Sequence, residues 1–245
     1  MGKPAVKHLD ALGNLPQDSP SPGGPHRVYV AATNHCNRAC PWCSTCSSPR
    51  GGSFITLENY LRSFPEDGPF EVHLEGGEPT LHPLFPDLVK QAGADPRCQR
   101  VVICTNGVTM PKDMDSLDLW LGRFGPAVGI KLSINHHLME NDSDLIKLAQ
   151  AAAQVAGRQG KMILFNVRLR KGVDDDDRAV RDAVDQAGLS PMANVFFLRR
   201  YGFAAQMADW EPPILVGENF RMVNPDGTVF GPDLVARSEA MRRLA

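Results

Sequence analysis

The most informative stretch of this 245-residue chain is Val28-Tyr-Val-Ala-Ala-Thr33, with the loop Cys36-Asn-Arg-Ala-Cys40-Pro-Trp-Cys43 after it. The first segment is apolar and partly β-branched, which predicts a strand. The second places three cysteines within eight residues of one loop. Three thiolates on a short loop can bind three irons of a [4Fe–4S] cluster and leave the fourth open. An open coordination position is typical of catalytic metal sites.

Two other uses of these cysteines are open from the residues alone. A zinc site is one alternative, with Cys46 or His35 as the fourth ligand, although such sites usually combine two separated Cys-x-x-Cys pairs. A disulfide framework fits poorly, because we find no secretory leader and a chain of this length can build a core without crosslinks. The pattern therefore favours iron–sulfur chemistry over zinc.

Composition and charge predict one soluble domain in a reducing cytoplasm. The formal net charge is −2, and basic residues do not alternate with aromatic ones, which disfavours nucleic acid as a partner. No apolar run approaches the length of a membrane-spanning helix, so we expect no membrane insertion. The last of the six cysteines is Cys104, a distribution unlike that of small secreted domains.

Short apolar runs alternate with helical patterns from Val28 onward. The predicted strands are residues 28–33, 70–74, 100–104, 130–134, 162–169 and 194–198. The predicted helices are residues 56–63, 84–92, 113–123, 143–156 and 176–186, with Thr56 and Ser143 as N-caps. A series of β/α repeats indicates a parallel sheet with helices outside, as a barrel or as a doubly wound sheet.

The chain divides into three predicted parts. Residues 1–26 are rich in proline and glycine and indicate a flexible lead-in. Residues 27–202 hold the β/α repeats, and residues 203–245 form a short C-terminal extension. Within the extension we expect a hairpin that turns at Pro225-Asp-Gly227 and an amphipathic stretch, Leu234–Leu244, packed on the barrel.

Polar and glycine residues follow the second and third predicted strands. Chemistry in β/α barrels collects at the C-terminal ends of strands. The run Gly76-Gly77-Glu78 allows close approach of backbone to a ligand and supplies a carboxylate that can accept hydrogen bonds from an ammonium. A plain tight turn would also explain it. Thr105-Asn106-Gly107 predicts a turn.

Strands four and five add further polar candidates. Ser133 and Asn135 share one face of strand four because side chains alternate along a strand. His136 and His137 follow, and as strand residues they would point to opposite faces, so the pair does not predict a metal site. Arg168 on strand five is suited to bidentate binding of a carboxylate.

The cysteine spacing, with Trp42 before the third cysteine, resembles the radical S-adenosylmethionine (radical SAM) family. The Gly-Gly-Glu run one β/α unit later strengthens the resemblance. It implies an α/β fold, a partial (β/α)6 TIM-like barrel with a parallel sheet and helices outside. It also implies a [4Fe–4S] cluster on Cys36, Cys40 and Cys43, whose open iron binds S-adenosylmethionine.

The resemblance further implies which residues contact S-adenosylmethionine: Trp42, Gly76, Gly77, Glu78, Ser133, Asn135 and Arg168. The Gly-Gly-Glu run would bind the methionine amino group, and the strand-four pair would hold the ribose hydroxyls. The arginine would bind the carboxylate, and the tryptophan would contact adenine. Family members more often have aspartate than asparagine at the second strand-four position.

Residues 221–231 resemble the opening of a SPASM-type extension but contain no cysteine, so we expect one cluster. Without an auxiliary cluster to accept an electron, we expect a redox-neutral outcome such as epimerisation, rearrangement or cyclisation. Cys46 and Cys104 are candidate hydrogen-atom donors, although buried cysteines usually serve only in packing.

The resemblance implies hydrogen abstraction from a small-molecule or peptide substrate of a biosynthetic pathway. Flavodoxin or ferredoxin would be the reducing partner. One alternative is an activase that places a glycyl radical on a partner protein. An alternative of another class is an iron–sulfur or zinc-binding module without S-adenosylmethionine chemistry.

Overall fold

The computed structural model describes residues 26–170, 174–207, 220–231 and 233–245. Within these residues, strands and helices alternate along most of the chain. The strands are β1 His26–Thr33, β2 Phe70–Gly76, β3 Cys98–Thr105, β4 Val128–Ile134, β5 Ile163–Leu169, β6 Ala193–Phe197, β7 Phe220–Val223 and β8 Val229–Phe230. The α-helices are α1 Leu57–Arg62, α2 Phe85–Ala94, α3 Met114–Gly122, α4 His136–Asn141, α5 Leu145–Arg158, α6 Asp175–Gln186 and α7 Leu234–Leu244.

The strands form one open sheet in the order β6-β5-β4-β3-β2-β1-β7-β8. Strands β1 to β6 pair in parallel with their sequence neighbours. The fold class is therefore confirmed as a parallel α/β sheet of the partial-barrel type. Strand β1 is central rather than terminal, because β7 pairs with its free edge.

The C-terminal extension contributes more to the sheet than the sequence indicated. Its first described strand, β7, pairs in parallel with β1, and β8 returns antiparallel to β7. The hairpin turns as expected, with the Gly227 amide donating to the Asn224 carbonyl at 2.9 Å. The predicted lead-in falls outside the described residues except for His26, which already belongs to β1.

Side-chain caps mark several helix starts, though not those of α2 and α5. Thr56 caps α1, since its hydroxyl accepts a hydrogen bond from the Asn59 amide at 3.1 Å. The prediction for Ser143 is wrong, because α5 begins at Leu145 after Asp144. No helix in the described part of the chain has the length and apolar character needed to cross a membrane.

The hydrophobic core lies between the outer face of the sheet and the helices. Ile130, Leu132 and Ile134 of β4 point outward and pack among residues such as Leu117 and Leu148 of the surrounding helices. A second cluster packs the outward residues of β1 and β2 against α1 and α2. Burying each such side chain contributes about 1.5–3 kcal/mol, so the outer face stabilises the sheet and leaves the inner face for polar residues.

The inner face carries a buried polar cluster below the C-terminal edge. His73 is almost fully buried and stacks on Tyr29, with ring centroids 4.3 Å apart. The Lys131 ammonium lies 3.3 Å from His73 Nδ1, and a Glu71 carboxylate oxygen lies 3.5 Å from His73 Nε2. Burial and the nearby Lys131 charge lower the pKa of His73 to about 3.

Because its pKa is low in the folded chain, His73 should make the folded state less stable as the pH falls. Between pH 6.5 and 3 the unfolded chain holds a proton on His73 that the folded chain excludes, so stability falls as the pH falls. From pH 7 to pH 5 the loss from this one group is about 2 kcal/mol. Urea unfolding of the cluster-free chain at both pH values should therefore show a smaller loss for His73→Phe than for the wild type.

Titrating groups that do not contact His73 are shared by the two proteins, so their contributions cancel in the comparison. Equal losses of unfolding free energy in both proteins would show that His73 titrates normally in the folded state. The absolute stability of the variant does not enter this test.

Candidate active site

A cavity of about 250 Å³ opens at the C-terminal edge of the parallel strands. The cysteine loop after β1 forms one wall, and the ends of β2 to β6 form much of the rest. Residues on its lining include Cys36, Cys40, Trp42, Cys43, Gly76, Gly77, Cys104, Asn106, Ser133, Asn135, Arg168 and Phe196. The structure thus gathers most of the predicted site residues around one space.

The three cysteines of the motif lie around the wall of this cavity. Burial raises the pKa of the Cys36 thiol to about 12 and that of Cys40 to about 11. No three His, Cys, Asp or Glu side chains of the described residues converge on a single ion position. A [4Fe–4S] cluster instead takes one thiolate per iron, and metal binding itself removes the thiol protons. Three thiols spread around a cavity fit this larger group.

The two glycines after β2 are required by the packing of the cysteine loop. A Cβ added at Gly77 would lie 2.0 Å from the His35 carbonyl oxygen, and one at Gly76 would lie 2.3 Å from the Thr33 carbonyl oxygen. The Gly77 amide donates to that Thr33 oxygen at 2.7 Å. Close contact between two backbone segments, which only glycine permits, therefore fixes the start of the cysteine loop against β2.

Glu78 does not face the cavity, where a contact with S-adenosylmethionine was predicted. Its side chain is fully buried and is absent from the cavity lining. The carboxylate accepts hydrogen bonds from the Thr80 amide and hydroxyl, the Thr105 hydroxyl at 2.8 Å and the Asn106 amide at 2.8 Å. Burial raises the pKa of this carboxyl, and the four hydrogen bonds oppose the rise. Glu78 thus joins the end of β2 to the end of β3.

The turn after β3 reaches the cysteines. Asn106 donates from its side-chain amide to Asn37 Oδ1 at 2.8 Å and lies 3.6 Å from Cys36 Sγ. The sequence indicated a turn at this asparagine but no contact with the cysteines. Its position directly after a strand, beside the glycine that the turn requires, was the available signal.

The residues after β4 begin a helix instead of continuing the strand. Asn135 caps α4, and its Oδ1 accepts from the Leu138 amide at 3.0 Å while the residue still lines the cavity. His136 and His137 therefore occupy the first helical turn, which corrects the strand placement. The ring of His137 packs edge-on to Trp42 with centroids 5.8 Å apart. Ser133 lines the cavity as expected.

Arg168 lies on the opposite wall from the glycines, on β5. Its guanidinium carbon is 5.6 Å from the centroid of the Phe196 ring, a cation–π contact. Its charge lowers the pKa of Cys40, against the larger effect of burial. Among the described residues, its buried Nε has no hydrogen-bond partner. An arginine in this state is suited to an anionic group in the cavity.

The two candidate hydrogen-atom donors, Cys104 and Cys46, lie in different surroundings. Cys104 lines the cavity at the end of β3. Cys46 is buried elsewhere, with its Sγ 3.9 Å from the Ser238 carbonyl of α7 and a φ of 50°. Only Cys104 of the two borders the space in which a substrate would bind.

Helix α7 lies across the cysteine loop. The Asn34 side chain donates to the Leu244 carbonyl at 2.6 Å, and the Ser238 hydroxyl donates to the Ser44 carbonyl at 3.0 Å. Arg237 forms an ion pair with Glu75 of the cavity wall, with 2.6 Å between the charged atoms. The helix was expected to pack on the barrel, but its contacts with the cysteine loop had no sequence signal.

Cysteine thiols, a glycine cradle and a partial parallel barrel around one cavity are the features expected of a radical SAM domain. A family model described as the radical SAM superfamily matches residues 30–119 of the chain. This segment holds the three cysteines and the Gly-Gly-Glu run. Members of the superfamily use a [4Fe–4S] cluster and S-adenosylmethionine, the two cofactors that the sequence predicted.

Relatives with assigned names match part of the chain. A GTP 3',8-cyclase of Chlorobaculum tepidum is 32% identical over 93 residues, 37% of this chain and 28% of that protein. A GTP 3',8-cyclase of Psychromonas ingrahamii is 25% identical over 156 residues, 61% of this chain and 46% of that protein. The chain thus spans less than half the length of these two relatives.

Solved structures share the fold over more of the chain. Streptococcus suis SuiB bound to the precursor peptide SuiA superposes with a TM-score of 0.55 at 14% identity, covering 86% of this chain and 60% of that chain. The anSMEcpe structure with bound AdoMet gives 0.51 at 15% identity, covering 71% of this chain and 50% of that chain. At these identities the likeness shows the fold.

The surroundings of Glu78 predict a structural effect of its replacement. Glu78→Leu removes the acceptor from donors of Thr80, Thr105 and Asn106, of which Thr105 is buried, and a buried donor left unpaired costs about 1–3 kcal/mol. We expect the free energy of unfolding of the cluster-free chain in urea to fall by about 1–3 kcal/mol from this one donor. Glu78→Gln should lose less, since its amide keeps one acceptor oxygen. Wild-type stability in Glu78→Leu would contradict this structural role.

Proposed function

We propose that this chain is a radical SAM enzyme that abstracts a hydrogen atom from a small-molecule or peptide substrate. The observation that supports it best is the placement of three motif cysteines, two cradle glycines and an arginine around one cavity. A single [4Fe–4S] cluster on Cys36, Cys40 and Cys43 is part of the proposal. When bound, the cluster supplies an electron for reductive cleavage of S-adenosylmethionine to a 5′-deoxyadenosyl radical.

The chain's own residues orient and enclose the cofactor. In this proposal Arg168 pairs with the carboxylate of S-adenosylmethionine, which is supported by its position on the cavity lining and by the effect of its charge on Cys40. The backbone at Gly76 and Gly77 is placed to meet the methionine amino group. Glu78 serves this site through the loop it stabilises, since its carboxylate already accepts four hydrogen bonds.

In this proposal, the ribose and adenine of S-adenosylmethionine contact other walls of the cavity. Ser133 presents a hydroxyl, and Asn135 keeps a side-chain amide group for a ribose hydroxyl while its oxygen caps α4. Trp42, held by His137, offers an aromatic surface near the cysteines.

The substrate would bind in the remaining part of the cavity. Cys104, Tyr201 and Leu234 lie on its lining along with Glu75, so the space combines polar and apolar surface. A structural neighbour, SuiB, binds a precursor peptide, which supports a peptide as one substrate class. A redox-neutral outcome such as epimerisation, rearrangement or cyclisation is part of the proposal.

Formation of 5′-deoxyadenosine tests the proposed chemistry directly. Anaerobically reconstituted protein given S-adenosylmethionine and dithionite should form 5′-deoxyadenosine, measured by chromatography, and Cys40→Ala should form none. Cys98→Ala is the matched control, because Cys98 lies at the start of β3, far along the strand from the cavity edge. Equal formation by Cys40→Ala and the wild type would overturn the assignment of the cluster ligands.

The role of Arg168 predicts a change in cofactor affinity. Arg168→Met should weaken S-adenosylmethionine binding by roughly 10- to 100-fold, as a charge-assisted hydrogen bond contributes about 1.5–3 kcal/mol. Calorimetric titration of the reconstituted protein measures this, with Arg158→Met, a surface variant on α5, as the control. Arg168→Lys should bind with intermediate affinity, because it keeps the charge without the bidentate geometry. Unchanged affinity in Arg168→Met would exclude the contact.

A further inference from the structure

The side chain of Asn106 has a fixed orientation beside a proposed cluster ligand. The Val108 amide lies 3.0 Å from Asn106 Oδ1 and can only donate, so the oxygen faces Val108. The side-chain nitrogen therefore faces the cysteine loop. This nitrogen carries two N–H groups and lies 2.8 Å from Asn37 Oδ1 and 3.6 Å from Cys36 Sγ, so both acceptors are within hydrogen-bond distance.

The backbone of Asn106 is held as firmly as its side chain. Its amide donates to Glu78 Oε2 at 2.8 Å, and Glu78 is fully buried. Cys36 is 8% exposed, so apart from the cavity that it lines its sulfur has little contact with water that could compete with a hydrogen bond. The contact between Asn106 and Cys36 is thus supported by both the strand ends and the turn.

A hydrogen bond to a ligand sulfur changes the reduction potential of an iron–sulfur cluster. An N–H group directed at sulfur stabilises the state with more negative charge, and that state is the reduced cluster. The effect is larger at a buried sulfur, because the effective dielectric constant is low there. A donor at Cys36 would therefore make the cluster easier to reduce.

We infer that Asn106 is a positioning residue that raises the reduction potential of the [4Fe–4S] cluster through an N–H···S hydrogen bond to Cys36. The inference depends on the proposed function, because it requires the cluster on Cys36, Cys40 and Cys43. It assigns to the turn after β3 a role in electron entry, separate from S-adenosylmethionine binding.

The midpoint potential of the reconstituted protein tests this inference. An anaerobic redox titration without S-adenosylmethionine, followed by electron paramagnetic resonance of the reduced cluster, gives the potential for samples of equal iron and sulfide content. Asn106→Leu should lower the equilibrium constant for reduction five- to tenfold, and tenfold corresponds to about 59 mV for one electron. Thr109→Val is the matched control, since Thr109 lies on the same turn and its hydroxyl contacts Thr80 Oγ1 at 2.6 Å.

The variant Asn106→Asp removes the N–H group directed at sulfur while keeping the oxygen that the turn requires. Aspartate keeps the oxygen that accepts from Val108 but loses the N–H group, and its charge adds to the negative charge near sulfur. The inference therefore expects a potential at least as low as that of Asn106→Leu. A wild-type potential in Asn106→Asp would contradict the inference, because the lost N–H group and the added negative charge should both lower the potential.

The remaining outcomes are also decisive. Equal potentials in the wild type and both Asn106 variants would overturn the inference while leaving the proposed function intact. Failure of both Asn106 variants to bind a cluster that Thr109→Val binds would assign Asn106 to cluster assembly and overturn the tuning role. If the wild type itself assembles no [4Fe–4S] cluster, the proposed function fails together with the inference.

Discussion

The buried carboxylate of Glu78 is the interaction on which the geometry of the site depends. Burying a carboxylate away from water costs free energy unless hydrogen bonds replace the lost solvation. Here the replacements come from the turn that follows β2 and from Thr105 and Asn106 at the end of β3. The same acid therefore fixes two neighbouring strand ends, and through Asn106 it fixes the surroundings of Cys36.

Sequence reasoning was strongest where chemistry allows few alternatives. Three cysteines on one loop, with Gly76 and Gly77 one β/α unit later, indicated the family, and the family implied the barrel. The alternation of inner and outer side chains on the strands was readable because the outer face is consistently apolar. Ser133 and Arg168 follow from this parity and line the cavity as expected.

The misplaced features depend on contacts between distant parts of the chain. The side chain of Glu78 could face either a ligand or Thr105. Packing between β2 and β3 decides this, and the local sequence around Glu78 does not reveal it. Asn135 begins α4 because its side chain caps the Leu138 amide, a use that competes with its place on a strand. Strand β7 joins β1 across almost the whole length of the chain, and sequence periodicity does not report such pairing.

The cysteine loop is irregular and is therefore held from outside. Loops lack the repeated hydrogen bonds of helices and strands, and a metal cluster requires its ligands in a fixed arrangement. The backbone at Gly77 supports one end of the loop, Asn106 contacts the first cysteine, and α7 covers the far side through Asn34 and Ser44. The helix also ties the C-terminal extension to the cavity wall, because Arg237 forms an ion pair with Glu75. Helix α7 therefore contacts both the cysteine loop and the cavity wall, two parts of the site that lie far from it in sequence.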